Sequence, residues 1–372
     1  QGISVYGSKP PRLLSRSRKK FSNQVFSTKE YLEQGDCPEI FNSVVEISGN
    51  LRPTRTSARA VDREFRKYHH LVELLSEMNT SRVQEVVTVN GRFTKNATVK
   101  TWCQKKNIRV SFIEFGSTKT KYEHFQVGPH SMLETAEKIE KLWANAPRNR
   151  VDIAESFLKR EIKNRDPVGI DWRSRMNEGK LPEFSNLKIC TFFASTEAEY
   201  AGVGDIVPEG FFSNQKDAFA GLVNVLDPAV WQVFLRRHPS KPGSRKVDAE
   251  SHLWENFSHL KNVKIISPDS DVDSFALGLN SDLVANFCST LAMDFIAAGK
   301  QEVITLGTAP WNSGIKSRFT PTEKAITRFL EENVARVSRE DTYPWAYFCS
   351  SFGTDFQLLG FSEKRSKWSF LI

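Results

Sequence analysis

The chain has 372 residues, of which 39% are hydrophobic and 26% are charged. A chain of this size and composition can bury a large core and divides into about two domains, so wholesale disorder is excluded. Its net charge of +8 favours acidic partners, which are nucleic acids, anionic membranes, or substrates that carry phosphates or carboxylates. Net charge alone does not rank these three classes.

The five cysteines are scattered without a CxxC or CxxH pattern, which argues against a structural zinc site and a disulfide framework. No apolar run approaches the roughly 20 residues of a membrane span, and no secretory leader pattern opens the chain. We therefore expect a cytoplasmic protein. Basic residues are densest between Arg12 and Lys20, where a solvated tail and contact with an anionic membrane are both open interpretations. The chain opens on Gln1, which leaves open whether residues precede it.

Patterns in the first 80 residues are weak, with a β-like piece at 44–47 and a helix at about 60–78. A clearer pattern follows, in which Glu85–Val89 is typical of a buried strand. After it we predict a turn at 90–92, a helix over 94–105 and a strand over 109–113 that ends in Glu114. These elements form one βαβ unit.

The next region holds His124 and His130, which we place in a loop with a structural or acceptor-contacting role. Ser131 and Glu134 have the spacing of a capping box, which predicts the start of an amphipathic helix that runs to about residue 145. A polar helix follows at about 152–163. The span 164–182 is rich in proline, glycine and charge, which is typical of a linker.

A second α/β series begins with a strand over 187–193, which leads into a polar loop containing Ser195. Alternating strands and helices follow, with strands at 231–235, 263–266, 283–287 and 303–306. This spacing predicts a parallel, Rossmann-like sheet. We expect two domains around a central cleft, at 1–165 and 183–335, with the first domain's start left open. The aromatic-rich segment 336–372 is predicted to pack back on the first domain.

Arg236 and His238 lie just past the predicted strand at 231–235. Bound ligands in parallel α/β sheets sit at the carboxyl ends of strands, where a cation and an imidazole can hold a phosphate by charge-assisted hydrogen bonds. A surface histidine before a proline turn is the competing interpretation of His238. A phosphate site becomes the stronger interpretation when Arg236 and His238 are considered together with Ser289 and Thr290.

Ser289 and Thr290 precede a predicted helix, where hydroxyls and free backbone N–H groups point at a bound anion. Simple N-capping is the alternative for either residue. Asp294 lies one turn into that helix, where it could accept from sugar hydroxyls or merely complement the helix dipole. These residues extend the predicted phosphate site.

Glu114 is the candidate base of the first domain, because a carboxylate at a strand end can take the proton of an acceptor hydroxyl. An exposed strand-end glutamate without a catalytic role is the alternative, and Glu199 and Asp205 are rival carboxylates. Asp269-Ser270-Asp271 has the spelling of a metal-binding D-x-D motif, but its place before a short helix favours helix capping.

The order of these motifs resembles the capsule and surface polysaccharide glycosyltransferases, which include bacterial sialyl- and Kdo-transferases. The residues that carry the resemblance lie between Val83 and Leu306: Asn90-Gly91-Arg92, Glu114-x-Gly116, Arg236-x-His238-Pro239, Ser289-Thr290-x-x-x-Asp294 and Gly299-Lys300. The resemblance implies an α/β fold of GT-B architecture, with two Rossmann-like domains that face a central cleft.

The resemblance also implies roles for individual residues. Glu114 would be the catalytic base, and His238 would hold the phosphate of a CMP-sugar donor together with Arg236, Ser289 and Thr290. Asp294 and Ser195 are assigned to the donor as well, and Asn90 and Arg92 to the acceptor. The reaction would need no metal or other cofactor, and its acceptor would be a glycan or glycolipid at the inner face of a membrane, with peripheral association of the protein.

Three alternatives stay open at this stage. A nucleic-acid-binding protein would fit the positive charge, but no recognised module is present, so no nucleic-acid partner is expected. A non-catalytic nucleotide-binding protein would keep the donor pocket without needing Glu114. Another nucleotide-sugar enzyme, such as an epimerase, would share the two-domain cleft.

Overall fold

The computed structural model describes residues 37–48, 58–164, 176–195, 210–239, 254–332, 337–357, 359–362 and 367–370. The basic run at 12–20, the rival carboxylates Glu199 and Asp205, and most of the predicted linker lie outside these residues. No helix among the described residues is long and apolar enough to cross a membrane.

The described chain alternates helices and strands. The helices are α1 (Pro38–Ser48), α2 (Ala58–Ser76), α3 (Thr94–Lys105), α4 (Met132–Ala144), α5 (Arg150–Asn164), α6 (Gln215–Val225), α7 (Ser274–Leu279), α8 (Leu291–Ala297), α9 (Glu323–Glu331) and α10 (Tyr343–Ser351). The strands are β1 (Glu85–Val89), β2 (Arg109–Phe115), β3 (Lys121–Phe125), β4 (Lys188–Phe193), β5 (Trp231–Arg236), β6 (Val263–Ile266), β7 (Leu283–Asn286), β8 (Val303–Thr305), β9 (Thr354–Asp355), β10 (Leu359–Ser362) and β11 (Lys367–Phe370). The strands β10 and β11 form a separate antiparallel pair.

The first sheet has four strands in the order β1-β2-β3-β9. Strands β1 and β2 are parallel and joined through α3, so the predicted βαβ unit is confirmed. Strand β3 then runs antiparallel to β2, which places His124 opposite Ile113 within the sheet. The prediction of a loop at His124 was therefore wrong. The sequence of β3, KYEHF, lacks the apolar character of a predicted strand, and its pairing with β2 decides its conformation.

Strand β1 differs from the buried strand that we predicted. It lies at the edge of the first sheet, and Val87 and Val89 are 54% and 51% exposed. Its side chains alternate between the two faces of the sheet, and within the strand only Val86 and Thr88 are partly buried. An apolar run therefore marks a strand here without marking burial.

The β-like piece at 44–47 is helical, which corrects the sequence prediction for this region. It forms the second half of α1, whose Ile40 and Val44 pack against Val61 and Phe65 of α2. Ile40 and Val44 are four residues apart, so they share one face of a helix. The tertiary contact with α2 selects the helical spacing over the local β propensity.

The second sheet has five parallel strands in the order β6-β5-β4-β7-β8. The predicted Rossmann-like parallel sheet is confirmed, because all its strands are parallel and the strand order reverses between β4 and β7, as in doubly wound sheets. Both faces are covered, and Val233, Phe234 and Leu235 of β5 have no exposed surface. The α/β class and the presence of two sheets, expected for a GT-B architecture, are therefore confirmed.

The aromatic helix α10 packs against α4 and α5, which follow the first sheet in sequence. Its Tyr347 contacts Trp143 of α4 edge to face, with ring centroids 5.8 Å apart. After α10, β9 pairs antiparallel with β3 and so forms one edge of the first sheet. The chain thus returns from the second sheet to the first.

Candidate functional site

Three of the predicted donor residues follow neighbouring strands at one edge of the second sheet. Phe193, the last residue of β4, pairs with Arg236 of β5 on one side and with Asn286 of β7 on the other. The three strand ends are therefore level, and adjacent strands lie about 5 Å apart. Ser195, His238 and Ser289 come two or three residues after these strand ends, and the strand order reverses between β4 and β7. In open α/β sheets this crevice is where ligands bind.

The turn after β7 is organised by the buried side chain of Asn286, which is 1% exposed. Its Nδ2 donates to the carbonyl of Ile304, 3.0 Å away, and its Oδ1 accepts from the backbone N–H of Ser289 at 3.0 Å. Both halves of the amide are satisfied, so the turn is held against β8. Asn286 had no predicted role, although an asparagine that ends an apolar strand is a signal for such a turn.

The helix α8 that follows this turn has no side-chain cap at Thr290. Thr290 is exposed, whereas Ser289 is half-buried and its Oγ accepts from the N–H of Leu291 at 3.4 Å. The capping interpretation therefore applies weakly to Ser289 and not to Thr290. Asp294 is half-buried in the first turn of α8.

The backbone of Ser195 is fixed by Gln215, the first residue of α6. Ser195 donates its N–H to Oε1 of Gln215 at 3.0 Å, and Nε2 of Gln215 donates to the carbonyl of Ser195 at 2.9 Å. Gln215 is fully buried, and Ser195 is 5% exposed. A buried amide that pairs with both backbone groups holds the loop after β4 in one conformation. Gln215 was not predicted to have a role, because its partner is 20 residues away in sequence.

Arg236 differs from its prediction in position and in its contacts. It is the last residue of β5, not a residue of the following loop, and it is 1% exposed. Its guanidinium donates to Oγ of Ser274 at 2.9 Å and to the carbonyls of Ser267 and Ser270 at 2.5 and 3.3 Å. Burial lowers the pKa of Arg236 to about 10, partly offset by Asp269. In the structure this side chain organises the loop between β6 and α7.

Neither Asp269 nor Asp271 of the D-x-D motif caps α7, so the prediction of helix capping by this motif was wrong. The cap is Asp273, whose side chain accepts from the N–H groups of Phe275 and Ala276. Asp269 accepts from the hydroxyl of Ser267, and Asp271 pairs with Lys180 at 2.7 Å. Lys180 holds the pKa of the Asp271 carboxyl below its usual value. Asp271 and Asp273 together fasten the segment 177–180, because they accept from Asn177, Gly179 and Lys180.

A second polar group lies at the carboxyl ends of β1 and β2. Nδ2 of Asn90 donates to Oε2 of Glu114 at 2.9 Å and lies 3.2 Å from Nε2 of His130. Asn90 has a positive φ of 61°, which asparagine tolerates better than most residues. Its Oδ1 accepts from the N–H of Arg92 at 3.3 Å. The turn at 90–92 therefore brings Glu114 and His130 together through one amide.

The charge state of His130 follows from these contacts. Oδ1 of Asn90 accepts from the N–H of Arg92, so the atom of Asn90 beside Glu114 is the amide nitrogen, which only donates. That nitrogen then donates to Nε2 of His130, and neutral His130 carries its proton on Nδ1. Burial and the neighbouring Arg92 lower the pKa of His130, whereas Glu114 raises it to a smaller extent. His130 is therefore a neutral donor through Nδ1. His130 was predicted to have only a minor role, because its contact with Asn90 joins residues 40 positions apart and no local pattern predicts it.

Gly91 lets this turn lie against the first sheet. Its φ is 79°, and a Cβ at this position would come within 2.3 Å of the Phe112 ring. Glycine alone combines a left-handed backbone with such a close approach. The position of Asn90 and Arg92 above β2 therefore depends on Gly91.

No protein-family model matches the chain, and no curated protein is significantly similar to it in sequence. Among solved structures, it is similar to the KpsC β-Kdo 2,7-transferase of Thermosulfurimonas dismutans, with a TM-score of 0.41 and 12% identity over 75% of this chain and 80% of that one. The UDP-GlcNAc 2-epimerase of Methanocaldococcus jannaschii, solved with UDP-GlcNAc and UDP, has a TM-score of 0.34 and 13% identity over 78% and 80% of the two chains. The UDP-forming trehalose-phosphate synthase of Burkholderia vietnamiensis has a TM-score of 0.32 and 9% identity over 87% and 83%. We base the fold on the strand order of the two sheets.

Proposed function

We propose that this protein is a glycosyltransferase of GT-B architecture that moves a sugar from a nucleotide-sugar donor to a hydroxyl of a glycan acceptor. The observation that carries the proposal is the placement of Ser195, His238 and Ser289 after three neighbouring parallel strands. Two of these strands, β4 and β7, flank the switch point of the second sheet, where doubly wound folds bind nucleotides, and β5 is the neighbour of β4. The alternation of two α/β units along the chain agrees with separate donor and acceptor domains.

In this proposal the second domain binds the donor. The imidazole of His238 and the hydroxyls of Ser289 and Thr290 contact the phosphate, and Asp294 and Ser195 contact the sugar or nucleoside. Arg236 acts indirectly, because its guanidinium holds the loop at 267–274. Donors of hydrogen bonds aimed at the phosphate stabilise the charge that develops as the nucleotide leaves.

The first domain supplies the base and binds the acceptor. Glu114 takes the proton of the acceptor hydroxyl while the hydroxyl oxygen attacks the anomeric carbon. The bond from that carbon to the phosphate oxygen breaks, and the nucleotide departs with the electron pair. Asn90 holds the carboxylate in place through the 2.9 Å hydrogen bond to Oε2. No metal takes part in this scheme.

The finer assignments follow from the sequence resemblance and belong to the same proposal. The donor is a CMP-activated ulosonic acid, and the acceptor is a cell-surface glycan or glycolipid. Domain boundaries are 1–165 for the acceptor domain and 183–335 for the donor domain, with 336–372 returning to the first. The protein works in the cytoplasm at the inner face of the membrane, to which its positive charge attracts it.

Calorimetric titration with CMP, UDP and GDP tests the donor site. We expect one nucleotide to bind, and His238→Ala to weaken it about tenfold or more, as the loss of a charge-assisted hydrogen bond costs roughly 1.5–3 kcal/mol. His259→Ala is the matched control, because His259 is exposed and belongs to the same domain. Equal affinity of both variants for every nucleotide would contradict the assignment.

A second measurement separates the proposed reaction from its rivals. The protein is incubated with the nucleotide sugar that binds and with a glycan acceptor, and the products are separated by mass and by sugar stereochemistry. A glycosylated acceptor supports the proposal. An epimerised sugar nucleotide without any transfer indicates an epimerase, and binding without turnover indicates a non-catalytic nucleotide-binding protein.

A further inference from the structure

An open depression, whose empty space together with adjoining solvent is about 300 Å³, lies beside the group formed by Asn90, Glu114 and His130. Its walls are the turn at 90–92, Lys100 of α3 and the loop at 127–131. These pieces come from three separate stretches of the first domain.

The charged residues that line this depression are both cationic. Arg92 follows the Asn90 turn, and Lys100 projects from α3 with its Nζ 5.7 Å from the centre of the Phe112 ring. The same ring lies against Gly91, so the Phe112 side chain contacts both Lys100 and the turn at 90–92. Cation–π contact with Phe112 holds the ammonium group near the turn. The lining thus combines two positive charges with polar backbone.

His130 adds a hydrogen-bond donor to the same wall. Its Nε2 accepts from Asn90, so its remaining ring nitrogen, Nδ1, carries the proton. A neutral imidazole with this fixed tautomer donates to an oxygen atom and does not accept from a hydroxyl at Nδ1. Beside it, Ser131 contributes a side chain whose Oγ accepts from the N–H of Glu134.

We propose that this depression binds an oxyanion of the acceptor, either a carboxylate or a phosphate monoester, between Arg92, Lys100 and Nδ1 of His130. The inference rests on the proposed transferase function for the identity of the ligand as acceptor. The oxyanion itself is selected by the charges and by the donors of the wall. Bound there, it would place a neighbouring acceptor hydroxyl beside Glu114, which shares Asn90 with His130.

Imidazole signals in nuclear magnetic resonance spectra test this site directly. Protein with isotope-labelled histidine is titrated with inorganic phosphate and, separately, with acetate, and the His130 signal is identified by its loss in His130→Gln. We expect a saturable shift of the His130 signal with an apparent affinity in the millimolar range. Saturation by phosphate alone indicates a phosphorylated acceptor, and saturation by acetate indicates a carboxylate. No shift with either anion would overturn the proposal.

Lys100→Gln provides the decisive variant. Removing one of two positive charges should weaken anion binding at His130 about tenfold, as for other charge-assisted contacts. Lys105→Gln on the same helix is the matched control, because Lys105 is exposed and does not line the depression. Equal weakening in both variants would show that binding depends on the net charge of the protein and not on the position of Lys100, which would contradict the proposed site.

Nucleotide titration of Lys100→Gln separates this inference from the proposed function. We expect Lys100→Gln to keep the nucleotide affinity of the unmodified protein, because the donor residues lie on the second sheet. If no nucleotide binds but phosphate still shifts His130, the transferase proposal fails while the oxyanion site stands. If nucleotides bind but neither anion shifts the His130 signal, the oxyanion site is rejected while the transferase proposal stands.

Discussion

Arg339 and Glu155, which are 184 residues apart in sequence, form a bidentate ion pair with N–O distances of 2.8 and 3.2 Å. The guanidinium also donates to the carbonyl of Ala297 at the end of α8. Glu155 belongs to α5, so Arg339 connects a helix that follows the first sheet with a helix of the second sheet. Tyr343 completes the group by donating its hydroxyl to Glu155.

Arg339→Ala should lower the melting temperature, because it leaves the partly buried Glu155 carboxylate and the Ala297 carbonyl without this donor. Coupling between charged residues in one network is about 0.5–3 kcal/mol, and each kcal/mol corresponds to about 2–4 °C in domains of 150–250 residues. Arg328→Ala is the control, because the Arg328–Glu332 pair is mostly exposed. Thermal unfolding followed by circular dichroism measures both. Equal changes in the two variants would contradict the connecting role.

The same ion pair predicts how stability depends on pH. Hydrogen bonds from Arg339 and Tyr343 lower the pKa of Glu155 from 4.5 to about 2. A carboxyl whose folded pKa is depressed contributes stability above its unfolded pKa, and this contribution is lost as pH falls toward the folded pKa. The melting temperatures of the unmodified protein and Glu155→Gln should therefore differ above pH 4.5 and converge between pH 4.5 and 2. A difference that stays constant across that window would contradict this assignment.

Arg236→Ala should destabilise the second domain, because it leaves the carbonyls of Ser267 and Ser270 without their donor. An unsatisfied buried polar group costs about 1–3 kcal/mol. Ser274→Ala removes only one acceptor and should cost less, and Lys261→Ala at an exposed site should cost nothing measurable. Melting temperatures and nucleotide affinity are measured for all three. If Arg236→Ala keeps its stability but loses nucleotide binding, the result would support the direct contact between Arg236 and the phosphate that the sequence predicted.

Arg236 shows where sequence reasoning succeeds and where it stops. The apolar run before it predicted β5 correctly, because a strand covered on both faces is continuously hydrophobic. The direction of the guanidinium depends on the loop at 267–274, more than 30 residues away, and no local pattern encodes that contact. Strand β3 was not predicted for a related reason, since this polar segment becomes a strand only by pairing with β2. Strand ends, and hence the order of candidate site residues, were predictable from sequence, whereas their partners were not.

Asn90→Asp should change the protonation state of His130. A carboxylate accepts where the amide nitrogen donated, so Nε2 of His130 would become the protonated nitrogen. An added negative charge within hydrogen-bond distance raises a histidine pKa, in typical cases by about 1–3 units. Nitrogen chemical shifts of labelled His130 report both tautomer and pKa. His124, which lies in β3 and contacts Gln126, serves as an internal reference. An unchanged tautomer and pKa would show that Asn90 does not set the state of His130.

Glu114→Gln should reduce sugar transfer about 10²–10⁴-fold, because a general base contributes a factor of that size. Glutamine keeps the shape of the side chain, so the hydrogen bond with Asn90 can persist through its carbonyl oxygen. Nucleotide affinity should not change, because the donor site lies on the other sheet. Glu140→Gln, at an exposed position of α4, is the control for charge alone. If Glu114→Gln transfers sugar at the rate of Glu140→Gln, the base is another group, and Glu114 serves only to hold the turn at 90–92.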